Sequence, residues 1–360
     1  MTALYDDADL LKLVTRNCFR VFGVSTTATK ATIQLVSGRI SKELQLDMHS
    51  QGTFLPWLPS LMIDKVSLEE SKASINLPSS RINARIWWFS GDSALKKFEP
   101  HPDETVLIGW VESLQKLSNH DALLLFLAGS SVLDPRFNNL SLWADCLRRW
   151  IELIHSDSFW YEQRIAEQRS GFEPRASDND FARLRKATID QLLLPVIEAG
   201  TDALVEERDE DALRIKILIE MVAPNEEIQL RYLAKLFLNL TATLSEACDD
   251  LHEKCWKVIV EDDDARARNL RALMPVIDDF ETTVVPIVDR IRYLLGENAL
   301  TRKNLNVAAK CVFEIAKATT WTDDSKLSSR LFHNAAIYGK GTVIEGKAKE
   351  RLVRYGVLIG

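Results

Sequence analysis

Apolar residues along this chain recur at alternating steps of three and four, the spacing that lines one face of an α-helix. From Leu230 the pattern runs through Leu233, Phe237, Leu240, Leu244, Ala247 and Leu251. A second run takes in Leu270, Leu273, Ile277, Phe280, Val284, Ile287, Ile291 and Leu294, and a third Leu305, Ala308, Val312 and Ile315. Each run predicts a helix that buries one face against a neighbour. Three in succession, with short polar connections, predict an antiparallel bundle or a short α-solenoid of TPR-like hairpins. Pro275 and Pro286 fall inside the second run, and each lacks a backbone donor. Pro275 therefore predicts a break near the helix start and Pro286 a kink. The acidic string Glu261 to Asp264 predicts the preceding connection and first turn, where carboxylates suit the positive end of a helix dipole.

Upstream the same pattern predicts a helical pair over Glu104 to Leu117 and His120 to Leu127. Another helix is expected over Leu142 to His155, with Trp143, Cys146, Leu147, Trp150 and Ile154 on one face, and a further turn or helix from Ser156. Ser170 to Asp180, rich in Gly, Pro, Ser and Asn, predicts an interior linker, after which Phe181 to Ala199 and Asp211 to Val222 resume the helical pattern. Tyr338 to Gly346 is punctuated by glycine, Lys347 to Arg354 is basic, and the apolar Val357 to Ile359 follows, a docked tail or the end of a longer piece. No exact repeat occurs, although helix pairs of roughly 35–40 residues suggest a degenerate hairpin array. The expected organisation is a module over 1–98, a helical region over 99–172, a repeat or bundle region over 173–335 and a tail over 336–360.

Composition agrees with an all-α class. The 14 glycines and 11 prolines are about 7% of 360 residues, below the roughly 12% of average usage. Five cysteines (18, 146, 248, 255 and 311) show no framework spacing, which fits free thiols in a reducing cytoplasm. The formal charge of −7 disfavours nucleic acid or an anionic membrane as the main partner. No run approaches the roughly 18 apolar residues of a membrane span. The acidic start, Met1 to Asp9, is unlike a secretory signal.

Residues 17–33, Asn-Cys-Phe-Arg-Val-Phe-Gly-Val-Ser-Thr-Thr-Ala-Thr-Lys-Ala-Thr-Ile, predict a short helix ending at Gly23, a loop, and a second helix. Thr29 caps the second helix by accepting from the amide of Thr32, and Ile33 begins its apolar face. This stretch resembles the opening of a J domain, the co-chaperone module. Ile40 falls where that family has a core leucine, and Arg39 where it carries a lysine. Leu35, Ser37 and Gly38 depart from its basic and aromatic pattern. The family's His-Pro-Asp tripeptide is missing from its place, which holds Leu46 to Thr53 with His49. A His-Pro-Asp at 101–103 lies beyond Arg81 to Phe89, the segment that resembles the domain's final helix, and Pro102 with Asp103 predicts a helix start there. The order of features is similar to bacterial J-like proteins in which a divergent J module ends in an Arg-rich helix with a Trp/Phe cluster and helical repeats follow. The resemblance implies a co-chaperone or adaptor role, a DnaK-type chaperone as partner, and Lys30, Arg39 and Lys42 as the basic face offered to it; ordinary solvated cations are the plainer alternative.

Trp87, Trp88 and Phe89 are adjacent, and a helix cannot turn three neighbours toward one core. At least one is expected to face another domain or a partner, with packing on the following helices as the plainer alternative. Cys248, His252 and Cys255 share a helical face and make three of the four ligands zinc needs, without a CxxC. Cysteines on a buried stripe are more simply small hydrophobes. Gly339-Lys-Gly-Thr lacks the spacing and preceding strand of a phosphate loop and predicts a turn. Nucleophile elbows and HExxH are absent, and Asp278, Asp279 and Glu281 belong to a solvated helix face. The expected function is a protein-binding adaptor of co-chaperone type with no catalytic residues, metal or cofactor. The alternative is a structural scaffold subunit that reuses a J-like fold.

Overall fold

The computed structural model describes residues 10–48, 50–51, 61–90, 103–116, 119–260, 270–320 and 324–355. The protein is all-α, and among the described residues the strands are one antiparallel pair, β1 (Ser50–Gln51) and β2 (Met62–Ile63), with Ser50 opposite Ile63. No helix of the described residues is long and apolar enough to cross a membrane. The chain divides into two compact units, residues 1–200 with 214–223, and residues 201–213 with 224–360.

The first unit opens with α1 (Lys12–Thr15), α2 (Cys18–Phe22) and α3 (Lys30–Gln45). The Asn17 side chain accepts from the Phe19 amide to start α2, and Gly23, left-handed at φ 66°, ends it. Thr29 caps α3 through the amide of Thr32, as its sequence predicts. After the strand pair, α4 (Lys65–Asn76) starts on a reciprocal Asp64–Ser67 capping box, and α5 (Pro78–Ile86) starts on proline. The next elements are α6 (Glu104–Leu114), α7 (His120–Leu133), α8 (Leu140–His155) and α9 (Asp157–Arg169). Asp103 caps α6 through Val106, while His101 and Pro102 lie outside the described residues, as does His49. Every residue of α7 from Ala122 to Ser131 is buried, the position a helix apolar all round must take. A Cβ on Gly129 would come within 2.5 Å of Val111, so only glycine lets α6 approach α7 this closely.

Two expectations fail here for physical reasons. The segment 170–177 is no linker, because it packs within the first unit. Ser170 O accepts from the Lys30 amide, Phe172 is buried, and Pro174 O accepts from Arg81. No boundary falls near 98 or 172, and the unit continues into α10 (Asp178–Val205) as far as residue 200 and takes in 214–223 from α11 (Asp209–Val222). Trp87, Trp88 and Phe89 do not share a helix, since α5 ends at Ile86 and the chain turns at Trp87. Freed from helical geometry, all three side chains are buried. The Trp87 indole donates to Gln191 and stacks on Trp150 with ring centres 5.0 Å apart, and Trp88 donates to Val24 O.

In the second unit, the run from Leu230 breaks at Phe237, the C-cap of α12 (Glu226–Leu236), and resumes as α13 (Leu238–Val260). The second run becomes α14 (Leu270–Asp279), a π-helical turn (Phe280–Val284) and α15 (Val285–Leu295). Pro275 lies inside α14 and does not break it. Pro286 has no amide to offer the carbonyl four residues back, and the π turn directly before α15 takes up that irregularity. Next come α16 (Ala299–Thr319), α17 (Ser325–Tyr338) and α18 (Val343–Arg354). Helix α16 packs on α13 and α17, and α18 packs on α17. The expected tail is therefore helical from Val343 to Arg354 and docked through Ala348 and Leu352. Arg290 clamps the start of this unit by pairing with Asp209 at 2.7 Å and donating to Leu204 O.

Trp150 is wholly buried and donates to Leu123 O, whereas Trp256 is 60% exposed. Trp150→Ala should cost about 3–5 kcal/mol in urea unfolding followed by circular dichroism. Trp256→Ala should stay within about 0.5 kcal/mol. Equal losses would contradict this core.

Candidate partner-binding site

Helix α3 separates its apolar positions cleanly. Ile33, Ser37 and Ile40 are buried, while Leu35, Arg39, Lys42 and Leu46 recur at steps of four, three and four on the opposite side. Leu35 is 76% exposed and Leu46 72%. Arg39 lies 3.6 Å from Glu43, an exposed pair of little worth. Lys42 has no ion-pair partner among the described residues. The result is a stripe of two cations flanked by two bare leucines, with Met48 exposed just beyond.

Lys30 does not belong to this stripe. Nine residues at about 100° each put it on roughly the opposite side of the helix from Arg39. It is half-buried, and its backbone amide is held by Ser170 O at 2.8 Å. Of the five expected partner-binding residues, the structure brings Arg39 and Lys42 together, sets Lys30 apart, and places Trp87 and Trp88 in the core. The spacing 35, 39, 42, 46 was in the sequence. What it could not show was that Leu35 and Leu46 face outward.

Behind α3 the module is held by charges that spacing alone left unassigned. Arg81 and Arg85, one turn apart on α5, are both buried, and both reach the buried carboxylate of Glu167 on α9. Arg81 donates to Glu167 through Nε at 3.1 Å and through Nη2, to Ile75 O at 2.8 Å, and to Pro174 O at 3.1 Å. Its guanidinium carbon sits 4.6 Å from the Phe172 ring centre. Arg85 Nη1 donates to Glu167 Oε2, the oxygen that also accepts from Arg81 Nε, and its own Nε donates to Thr26 O at 3.4 Å, while its Nη2 has no hydrogen bond among the described residues. Burial pulls the Arg85 pKa below its ordinary value, opposed by Glu167. Burial alone would raise Glu167, but the hydrogen bonds and charges of both arginines outweigh it, so its carboxyl is held below the usual range. One anion against two cations in a dry site ties α5 to α9.

The cysteines lie in the core. All five are buried and free. Burial pushes the thiols of Cys18 up to about 12 and Cys255 up to about 11, and raises that of Cys146 as well. Such thiols are poor nucleophiles. Cys248 and Cys255 are buried, but His252 between them is exposed, so the three do not converge. Among the described residues no group of His, Cys, Asp or Glu side chains could hold a metal ion.

Compared with known proteins, the chain matches no family model, no curated protein and no solved structure. The J-like resemblance therefore rests on residues 17–40 and 81–89 of this sequence alone.

Removing the clamp's anion isolates its role. Glu167→Gln leaves two buried guanidinium groups unneutralised and should cost about 3–5 kcal/mol in denaturant unfolding at pH 7. Because the folded carboxyl lies below its ordinary 4.5, its contribution is complete above that pH and is lost as pH falls below it. Thermal unfolding from pH 6 to pH 3 should show this acid loss in the native chain and a shallower one in Glu167→Gln. Parallel acid limbs would exclude Glu167 as the source.

Proposed function

We propose that this chain is a protein-binding adaptor of co-chaperone type that does no bond-making chemistry itself. The observation carrying this reading is the outward stripe of α3. Two leucines more than two-thirds exposed flank two cations on a helix whose other side is anchored in a core. Monomeric surfaces scatter single exposed apolar residues. A leucine–arginine–lysine–leucine row along one helix face fits a partner with an acidic, partly apolar groove. The order of a short helix, a long helix bearing the cations and a further helical pair supports the J-like reading of the 1–98 module. In that reading a DnaK-type chaperone is the partner. Buried thiols and a charge clamp closed on itself accord with a role in holding proteins.

The test is binding of the purified full chain to a DnaK-type chaperone, beside affinity purification of the tagged chain from its own cells. Arg39→Ala with Lys42→Ala should weaken binding at least tenfold, with a smaller salt dependence. Leu35→Glu should weaken it similarly, and Lys30→Ala should leave it within twofold. A fixed set of co-purifying proteins without a chaperone would refute the co-chaperone reading in favour of a scaffold subunit. Loss on Lys30→Ala but not on Lys42→Ala would refute the stripe.

A further inference from the structure

The segment Gly339 to Thr342 forms the turn between α17 and α18 in the second unit. Beside it lies a cavity of about 570 Å³, within the roughly 300–1,000 Å³ of pockets that hold small organic ligands. Leu305, Ala336, Tyr338 and Leu352 supply apolar lining, from α16, α17 and α18. The fixed charges are four cations, Arg292, Arg302, Lys340 and Lys349, against two carboxylates, Glu297 and Glu345. That local excess of two positive charges stands in a chain whose formal charge is −7.

How these charges are engaged decides what the cavity can take. Glu345 accepts from the Gly341 amide at 2.7 Å and pairs with Lys349 at 2.7 Å, so this carboxylate is already committed. Glu297 lies 3.5 Å from Lys340, both largely exposed. The Arg292 guanidinium stacks over the Tyr338 ring at 5.0 Å and donates to Ile337 O. Arg302 differs from the other three: its guanidinium has no hydrogen bond or ion pair among the described residues, and its Cδ approaches the Gly341 turn. A guanidinium so placed offers a two-pronged donor to a planar or tetrahedral anion.

We propose that this cavity binds a small organic anion, an apolar ring-sized body carrying a phosphate or carboxylate, with the body on Leu305, Tyr338 and Leu352 and the anion on Arg302 and Lys340. The proposal is independent of the adaptor reading, which rests on the first unit. The apolar lining excludes a bare inorganic ion as the preferred ligand, because such an ion would leave that surface uncovered. The uncommitted cation disfavours a neutral ligand.

Calorimetric titration of the full chain with 1-naphthyl phosphate and with 1-naphthoate tests this and separates the two anion types. One or both should bind at least tenfold more tightly than neutral 1-naphthol and than inorganic phosphate, and more weakly as salt rises. Arg302→Ala should weaken binding about tenfold with an unchanged thermal melt, since that side chain is exposed and makes no hydrogen bond or ion pair among the described residues. Leu305→Trp should block binding by filling the cavity. Lys326→Ala, exposed and outside the lining, should change nothing. The proposal is overturned if neither naphthyl anion binds, if Arg302→Ala binds as the native chain does, or if inorganic phosphate binds as tightly as naphthyl phosphate.

Discussion

Two arginines in a dry interior demand an anion, and the anion comes from Glu167, 86 residues beyond Arg81 in the chain. This requirement organises the first unit. It draws α9 and the segment 170–177 onto α5, and it holds Thr26 and Pro174 in place through their carbonyls. Trp87, Trp88 and Phe89, which follow α5 directly, are buried in the same unit. A buried ion cluster contributes less net stability than well-packed hydrophobes of the same volume. Its effect is specificity: another register of α5 would leave guanidinium groups without a counter-charge.

That anchoring has a consequence for α3. With its amide end tied to Ser170 and its apolar side buried on the module, the helix presents its opposite side without freedom to rotate. Leu35 and Leu46 stay exposed because no element among the described residues covers them. The second unit works differently. Its helices are joined mainly by apolar faces, with the Arg290–Asp209 pair at its edge. Beside one cavity of the α16–α18 group, four cations meet two carboxylates.

The legible part of this protein was its helices. The steps of three and four placed α8 within two residues of its ends and marked the buried faces of α13, α15 and α16 without their limits, since the runs from Leu230 and Leu270 each divide into two helices; the caps at Thr29 and Asp103 were visible as residue types. The irregularity at Pro286 was visible too, since a missing amide is a property of the residue, although only the fold shows it resolved as a π turn. Pro275 shows the opposite outcome, an exposed proline that lies inside a helix without breaking it. The boundary expected at residues 170–180 failed because Gly, Pro and Ser mark irregular backbone, and irregular backbone packs as readily as helix when carbonyls such as Pro174 O are needed by buried donors.

By itself the sequence determined the all-α class, the faces of its helices and the absence of the spacings that known catalytic motifs require, because these depend on residues close together along the chain. Tertiary structure alone decided which of those faces stayed bare. Lys30, Arg39 and Lys42 read alike as a list of cations, yet helical rotation and the anchor at Ser170 separate the first from the other two. The tryptophans read as either a partner contact or packing, and the fold decided for packing. Glu167 read as one acid among many and became the partner of two buried arginines. Each outcome turns on which distant segment arrives to exclude water, and spacing along a chain carries no information about that.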